Sequence, residues 1–148
     1  MDLQQQPLFR QKALVAGQWC DADNAEKTPI FNPATQELIG YVPNMGRAET
    51  ERAIEAAYAS WEMWKTKTAK ERSALLKKWY DLILLNLDVL AEILTTEQGK
   101  PFNEAKGEII YAASFIEWFA EEAKRIYGDI IPSPYPDARI VVSKQPIG

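Results

Sequence analysis

Few residues in this chain have the type and spacing to do chemistry. The only thiol is Cys20, in Gly17-Gln18-Trp19-Cys20, and the chain has no histidine. Without histidine the usual general base near neutral pH is missing. One cysteine and no histidine also argue against a zinc site and leave no internal disulfide. No basic cluster near Cys20 in the sequence would lower its thiol pKa. Glu97 precedes Gln98-Gly99-Lys100-Pro101 at what reads as a helix end. On residue type and position it is a helix-end carboxylate facing water. Tyr111, Phe115 and Trp118 are spaced four and three apart and form an aromatic patch. By itself such a patch is ordinary core packing on a buried helix, or the side of a helix that lies beside a cavity. Glu104, Glu108, Glu117, Glu121 and Glu122 read as a solvated face, not an acid/base pair.

The element that must carry most of these residues is a long helix. From Phe102 to Ile126, apolar residues recur at spacings of three and four: Phe102, Ala105, Ile109, Ala112, Ile116, Phe119, Ala123 and Ile126. Pro101 suits the first helical position, and Gly128 with Pro132 marks the end. The aromatic patch lies beside this stripe, so the helix is apolar on more than one face and belongs between two layers or beside a cavity.

Before it, three more helices are expected. The first starts near Ala48 with Ile54, Ala57, Tyr58, Trp61 and Trp64 on one face. The second is opened by the capping box Thr68-Ala69-Lys70-Glu71, with Leu75, Leu76, Trp79, Leu82 and Ile83 buried. The third is capped by Asp88 and stops before Gly99. Residues 1–12 read as a Gln-rich arm. Leu14 to Trp19 reads as a hairpin turning at Gly17, and Thr28–Phe31 and Glu37–Val42 as short strands around an Asn32-Pro33-Ala34-Thr35 turn. Several prolines and one late strand, Arg139 to Lys144, close the chain.

Composition bounds the class. The 148 residues carry a net charge of −4 with both signs interspersed, 47% hydrophobic and 26% charged. That is ordinary for a soluble domain and offers no face for nucleic acid. No membrane span or secretory leader is evident, which makes the cytoplasm the default expectation.

Several motifs now coincide in order and spacing: Phe31-Asn32-Pro33-Ala34-Thr35, Val42-Pro43-Asn44-Met45-Gly46, Thr68-Ala69-Lys70-Glu71-Arg72, Glu97-Gln98-Gly99-Lys100-Pro101 and the whole of Glu104 to Pro132. With these the chain resembles the N-terminal segment of the NAD(P)-dependent aldehyde dehydrogenases, nearest to their bacterial succinate-semialdehyde branch. The resemblance implies an α/β fold, Rossmann-like as a whole, whose present segment is α-rich with short peripheral strands and a C-terminal strand. Residues 1–128 would belong to the cofactor-binding domain and 129–148 to the start of an oligomerisation arm, ahead of the dinucleotide-binding core.

The implied activity is oxidation of succinate semialdehyde to succinate with NAD or NADP, in a cytoplasmic homo-oligomer. The residues that the family uses for catalysis and for holding the cofactor have no counterparts here, so this chain alone is expected neither to bind cofactor nor to catalyse. By the same resemblance, Tyr111, Phe115 and Trp118 line the substrate tunnel. Glu97 and the backbone carbonyl of Phe31 bind a structural monovalent cation. Gly17-Gln18-Trp19-Cys20 imitates the family's nucleophile motif, but it sits where the family has an N-terminal Gly-x-Trp turn. The alternatives are a truncated helical assembly module and, far behind, a small enzyme using Cys20.

Overall fold

The computed structural model describes residues 3–147; Met1, Asp2 and Gly148, the outermost residues of the expected arm and C-terminal segment, lie outside them. The N-terminal arm is ordered. A short 3-10 turn at Leu3–Gln5 buries Leu3. Gln11 then pins the arm to the sheet, its Oε1 accepting the Tyr41 N–H at 2.8 Å.

Strands β1 (Ala13–Val15) and β2 (Gln18–Cys20) pair antiparallel across the two-residue turn Ala16-Gly17. Both turn residues have positive φ, 50° and 77°, the geometry that matches the twist of a hairpin. Strands β3 (Lys27–Phe31) and β4 (Leu38–Pro43) form a second hairpin with a bulge between Ile30 and Phe31. Asn32 organises its loop by accepting the Ala34 N–H on Oδ1 at 2.9 Å. The two hairpins remain separate sheets instead of joining into one.

Four helices follow. Helix α1 (Arg47–Thr66) is entered at Gly46, whose N–H donates to the Glu49 carboxylate at 3.0 Å. Glu49 is buried, and it also accepts the Asp23 N–H at 3.0 Å, tying the second strand's exit loop to the helix. Arg52 adds a two-pronged pair to Asp23 at 2.9 and 2.7 Å. Helix α2 (Ala69–Leu85) carries the expected capping box, with Glu71 N–H to Thr68 Oγ1 at 3.3 Å and Thr68 N–H to Glu71 at 2.8 Å.

Helix α3 (Leu87–Gln98) restarts after the single residue Asn86, so Asn86 and not Asp88 occupies its N-cap. Asp88 is in the first turn and instead pairs with Lys106 at 2.6 Å. Gly99 ends α3 at φ 83°, and a Cβ there would come within 2.8 Å of Pro33 Cγ, so only glycine fits.

Helix α4 (Phe102–Glu122) packs against α2 and α3 and is the centre of the fold. Pro101 stands at its N-cap, one position earlier than the sequence suggested. The buried line is Ala105, Ala113 and Ala120, all at 0% exposure, with Ile109 and Ile116 half-buried between them. Ala112 and Phe119 of the predicted stripe are exposed, and Ile126 lies beyond the 3-10 turn Ala123–Arg125 that ends the helix. The reason is steric: Ala91 of α3 is likewise at 0% exposure, and seams lined by alanine let helices approach closely. Bulky residues are displaced to the flanks.

A similar exchange occurs on α2, where Ser73 is buried and Leu76 and Ile83 are half-buried, while Leu75, Trp79 and Leu82 face outward. On α1, Ile54, Tyr58 and Trp64 are also exposed.

The expected lone strand Arg139–Lys144 is a paired one. Strand β5 (Asp129–Ile131) was not anticipated and pairs antiparallel with β6 (Ile140–Val142), Ile130 opposite Val141. Gly128 marks the hairpin rather than the helix end, because a Cβ there would collide with the Val142 carbonyl. Every strand residue of this hairpin is exposed. The chain exposes 11073 Å², where a compact monomer of its 16.8 kDa would show about 7700 Å². Its apolar faces are therefore far from fully covered by its own residues.

Candidate functional site

The outer face of α4 carries the aromatic patch. Tyr111 and Phe115 meet edge to face, ring centroids 4.9 Å apart at 80°. Helical spacing makes this contact, since residues four apart are neighbours on one face. Phe115 and Trp118 share an open depression of about 650 Å³ with Ser114, Glu117, Phe119, Glu121 and Arg125. Tyr111 stands outside that lining and reaches it through Phe115. Their exposures of 65, 48 and 63% for Tyr111, Phe115 and Trp118 set them apart from the alanine seam.

The acidic residues of α4 are ion-paired. Glu117 is half-buried and bonds Lys77 of α2 at 2.9 Å, which raises the Lys77 pKa above its ordinary value. Glu121 pairs with Lys124 at 3.2 Å, Glu122 with Arg125 at 2.5 Å, and Glu108 with Lys100. Glu104 is exposed. Glu104, Glu108 and Glu121 are solvated as expected, while Glu122 is half-buried beside Arg125 and Glu117 is half-buried at its contact with α2. Lys77 and Ser114 carried no sequence signal for this location. Phe119 was expected in the buried stripe and lines this depression instead.

Glu97 and Phe31 come from different elements whose ends converge. Gly99, two residues after Glu97, abuts Pro33, two residues after Phe31. A small depression of about 200 Å³ lies beside them, lined by Asn32, Glu37 and Thr96 among others. Partial desolvation raises the Glu97 carboxyl pKa, although the side chain still reaches solvent. A carboxylate held this way gains from a cation or a neutralising proton. Among the described residues no group of three or more Cys, Asp or Glu side chains gathers to hold a metal. A cation at Glu97 would thus depend largely on carbonyl oxygens, as a hard monovalent ion allows.

Cys20 sits half-buried in β2, its Sγ 3.5 Å from the Ala13 carbonyl across the hairpin. Trp19 beside it is exposed under the Arg10 guanidinium at 5.5 Å. Nothing there resembles a nucleophile held by a base.

Comparison with known proteins gives a consistent result. Residues 19–148 match the aldehyde dehydrogenase family. Over all 148 residues the chain is 99% identical to a succinate semialdehyde dehydrogenase of Acinetobacter baylyi, and it covers 31% of that protein. It is 62% identical over the same span to a glutarate-semialdehyde dehydrogenase of Pseudomonas putida, again covering 31%. The crystal structure of an E. coli NADP dependent enzyme superposes with a TM-score of 0.87 at 53% identity, over 89% of this chain and 27% of that one. The chain thus spans about a third of the length of the curated relatives it matches. No helix among the described residues is long and apolar enough to cross a membrane.

Proposed function

The chain belongs to the aldehyde dehydrogenase family, and on that premise we propose that it forms part of a nicotinamide-dependent enzyme oxidising succinate semialdehyde to succinate. The observation that carries this reading is the 99% identity over 148 residues to a protein of that name. In such an enzyme a thiolate adds to the aldehyde carbon, hydride leaves to the nicotinamide and water releases the acid. We assign none of those groups to this chain. Its contribution is position and exclusion.

Tyr111, Phe115 and Trp118 form an apolar wall for the methylene chain of the substrate, and their exposure supports this. Glu97 and the Phe31 carbonyl hold a structural monovalent cation, which the raised Glu97 pKa supports. The residues up to Gly128 belong to the cofactor-binding domain. The exposed β5–β6 hairpin, with two free edges, begins the arm that joins copies into a homo-oligomer. The enzyme works in the cytoplasm.

The test is a complete polypeptide, the Acinetobacter relative with these 148 residues in place of its own. Given succinate semialdehyde and NAD or NADP, it should reduce the cofactor. A purified, folded protein that oxidises no short semialdehyde with either cofactor would overturn the reading.

A further inference from the structure

A second cavity, of about 670 Å³, shares no lining residue with the depression on α4. Its wall is drawn from separate elements: Trp61, Trp64 and Lys65 of α1, Arg72 of α2, Lys124 of the 3-10 turn and Lys144 beyond β6. That volume suits an organic molecule and is far larger than a bare ion needs.

Cations line this cavity and acids do not. Four basic side chains converge on it, and no carboxylate stands among the lining residues. Two of the four are neutralised from outside, Lys65 by Glu62 at 2.6 Å and Lys124 by Glu121 at 3.2 Å. Arg72 donates through Nη1 to the Lys67 carbonyl. Neither Arg72 nor Lys144 has an acidic partner among the described residues. Two positive charges are therefore left uncompensated around one space, in a chain whose net charge is −4. Like charges gathered this way repel, and an anion between them reverses that cost.

The indoles indicate what the anion is attached to. Trp61 is occupied, with Lys65 Nζ 4.3 Å from its ring centroid and the Tyr58 ring stacked at 6.0 Å. Trp64 is 36% exposed and carries no ring or cation among the described residues. Its free face suits a flat apolar ring.

We propose that this cavity binds an aromatic dianion, a flat ring bearing a doubly charged group such as a phosphate monoester. Arg72 and Lys144 take the charged group, the guanidinium offering a planar fork of donors to its oxygens. Trp64 takes the ring. The site is distinct from the substrate wall on α4 and stands independently of the dehydrogenase reading.

The test uses the complete polypeptide, saturated with NAD and NADP so that a cofactor site is filled, and titrates 1-naphthyl phosphate by calorimetry. The probe should bind more tightly than either 1-naphthol or inorganic phosphate, and less tightly as salt rises. Lys144→Gln should weaken it by about tenfold, the size of one charge-assisted hydrogen bond. Trp64→Leu should weaken the naphthyl ester toward the affinity of inorganic phosphate. Lys70→Gln, exposed on α2 outside the lining, should change little. Equal losses in Lys70→Gln and Lys144→Gln would reduce the effect to general surface charge and overturn the proposal. Binding unaltered by Lys144→Gln and Trp64→Leu would place the probe elsewhere and overturn it too. So would a folded complete protein that binds no probe, because other polypeptide would then fill the cavity.

Discussion

Lys77 on α2 and Glu117 on α4 meet at 2.9 Å, forty positions apart in sequence, and the Lys77 ammonium also lies 4.0 Å from the Tyr80 ring centroid. The pair locks the register of the two helices that share the alanine seam. Because the Glu117 carboxylate raises the Lys77 pKa above its ordinary value of 10.5, the pair stabilises the fold throughout the neutral range. That contribution is lost as pH climbs through the raised value. Lys77→Met should therefore lower the melting temperature slightly at neutral pH and low salt. The difference should narrow in high salt and at strongly alkaline pH. A difference that ignores both would place the effect in packing.

Phe115 and Ile116 are adjacent but face different surroundings, so their truncations should separate. In the complete enzyme, Phe115→Ala should raise KM or alter chain-length preference with little change in melting temperature. Ile116→Ala should cost about 2 kcal/mol of stability, the low end for such truncations, because the side chain is only half-buried. Equal losses of stability with unaltered kinetics for Phe115→Ala would remove it from the substrate wall.

Glu49 sits at the join between the N-terminal hairpins and the helices. The Asp23 N–H and its own helix N-terminus hold its carboxyl below the ordinary value of 4.5. A depressed carboxylate stabilises above its unfolded pKa, and that contribution disappears as pH falls through the folded one. Acid titration should release the Asp23 amide to hydrogen exchange before the α2–α4 seam opens. Glu49→Gln should show the faster exchange already at neutral pH.

Glu97 carries the opposite shift. Its carboxyl ionises at a cost in the fold, so it destabilises as pH rises through its raised pKa unless a cation compensates. In the complete enzyme, replacing potassium and sodium with a bulky organic cation should lower the melting temperature. Glu97→Gln should abolish that dependence. A cation response that survives in the variant would separate Glu97 from the site.

The 148-residue chain by itself should be inactive with succinate semialdehyde and either cofactor. Ile54, Tyr58, Leu75, Trp79, Phe119 and Ile130 are all exposed, and apolar surface of this extent on a monomer usually finds a partner. Sedimentation at low micromolar concentration should show association, and the dye ANS should bind. A dye-free compact monomer, or turnover abolished by Cys20→Ser, would contradict these expectations.

Local signals settled much of this protein. The turn at Ala16-Gly17, the Thr68–Glu71 capping box and the stop at Gly99 each depend on residues within a few positions of one another. Their hydrogen bonds form wherever the chain goes, so they were legible. The family was legible too, because its motifs lie at characteristic spacings. What the sequence left open was which apolar face each helix would cover. On α4, Ala112 and Ala113 are equally apolar, and only the close approach of α2 and α3 decides for Ala113. Leu75 and Trp79 on α2 lose the seam to Ser73 and Leu76 for the same reason. Asp88 became a partner of Lys106, and β5 a partner of β6, only through contacts distant in sequence. The aromatic residues of the candidate site could be named from spacing alone. The depression that joins Phe115 and Trp118 to Glu121 and Arg125 needed three dimensions, because a concave surface depends on how side chains a turn apart stand and on where the helix ends.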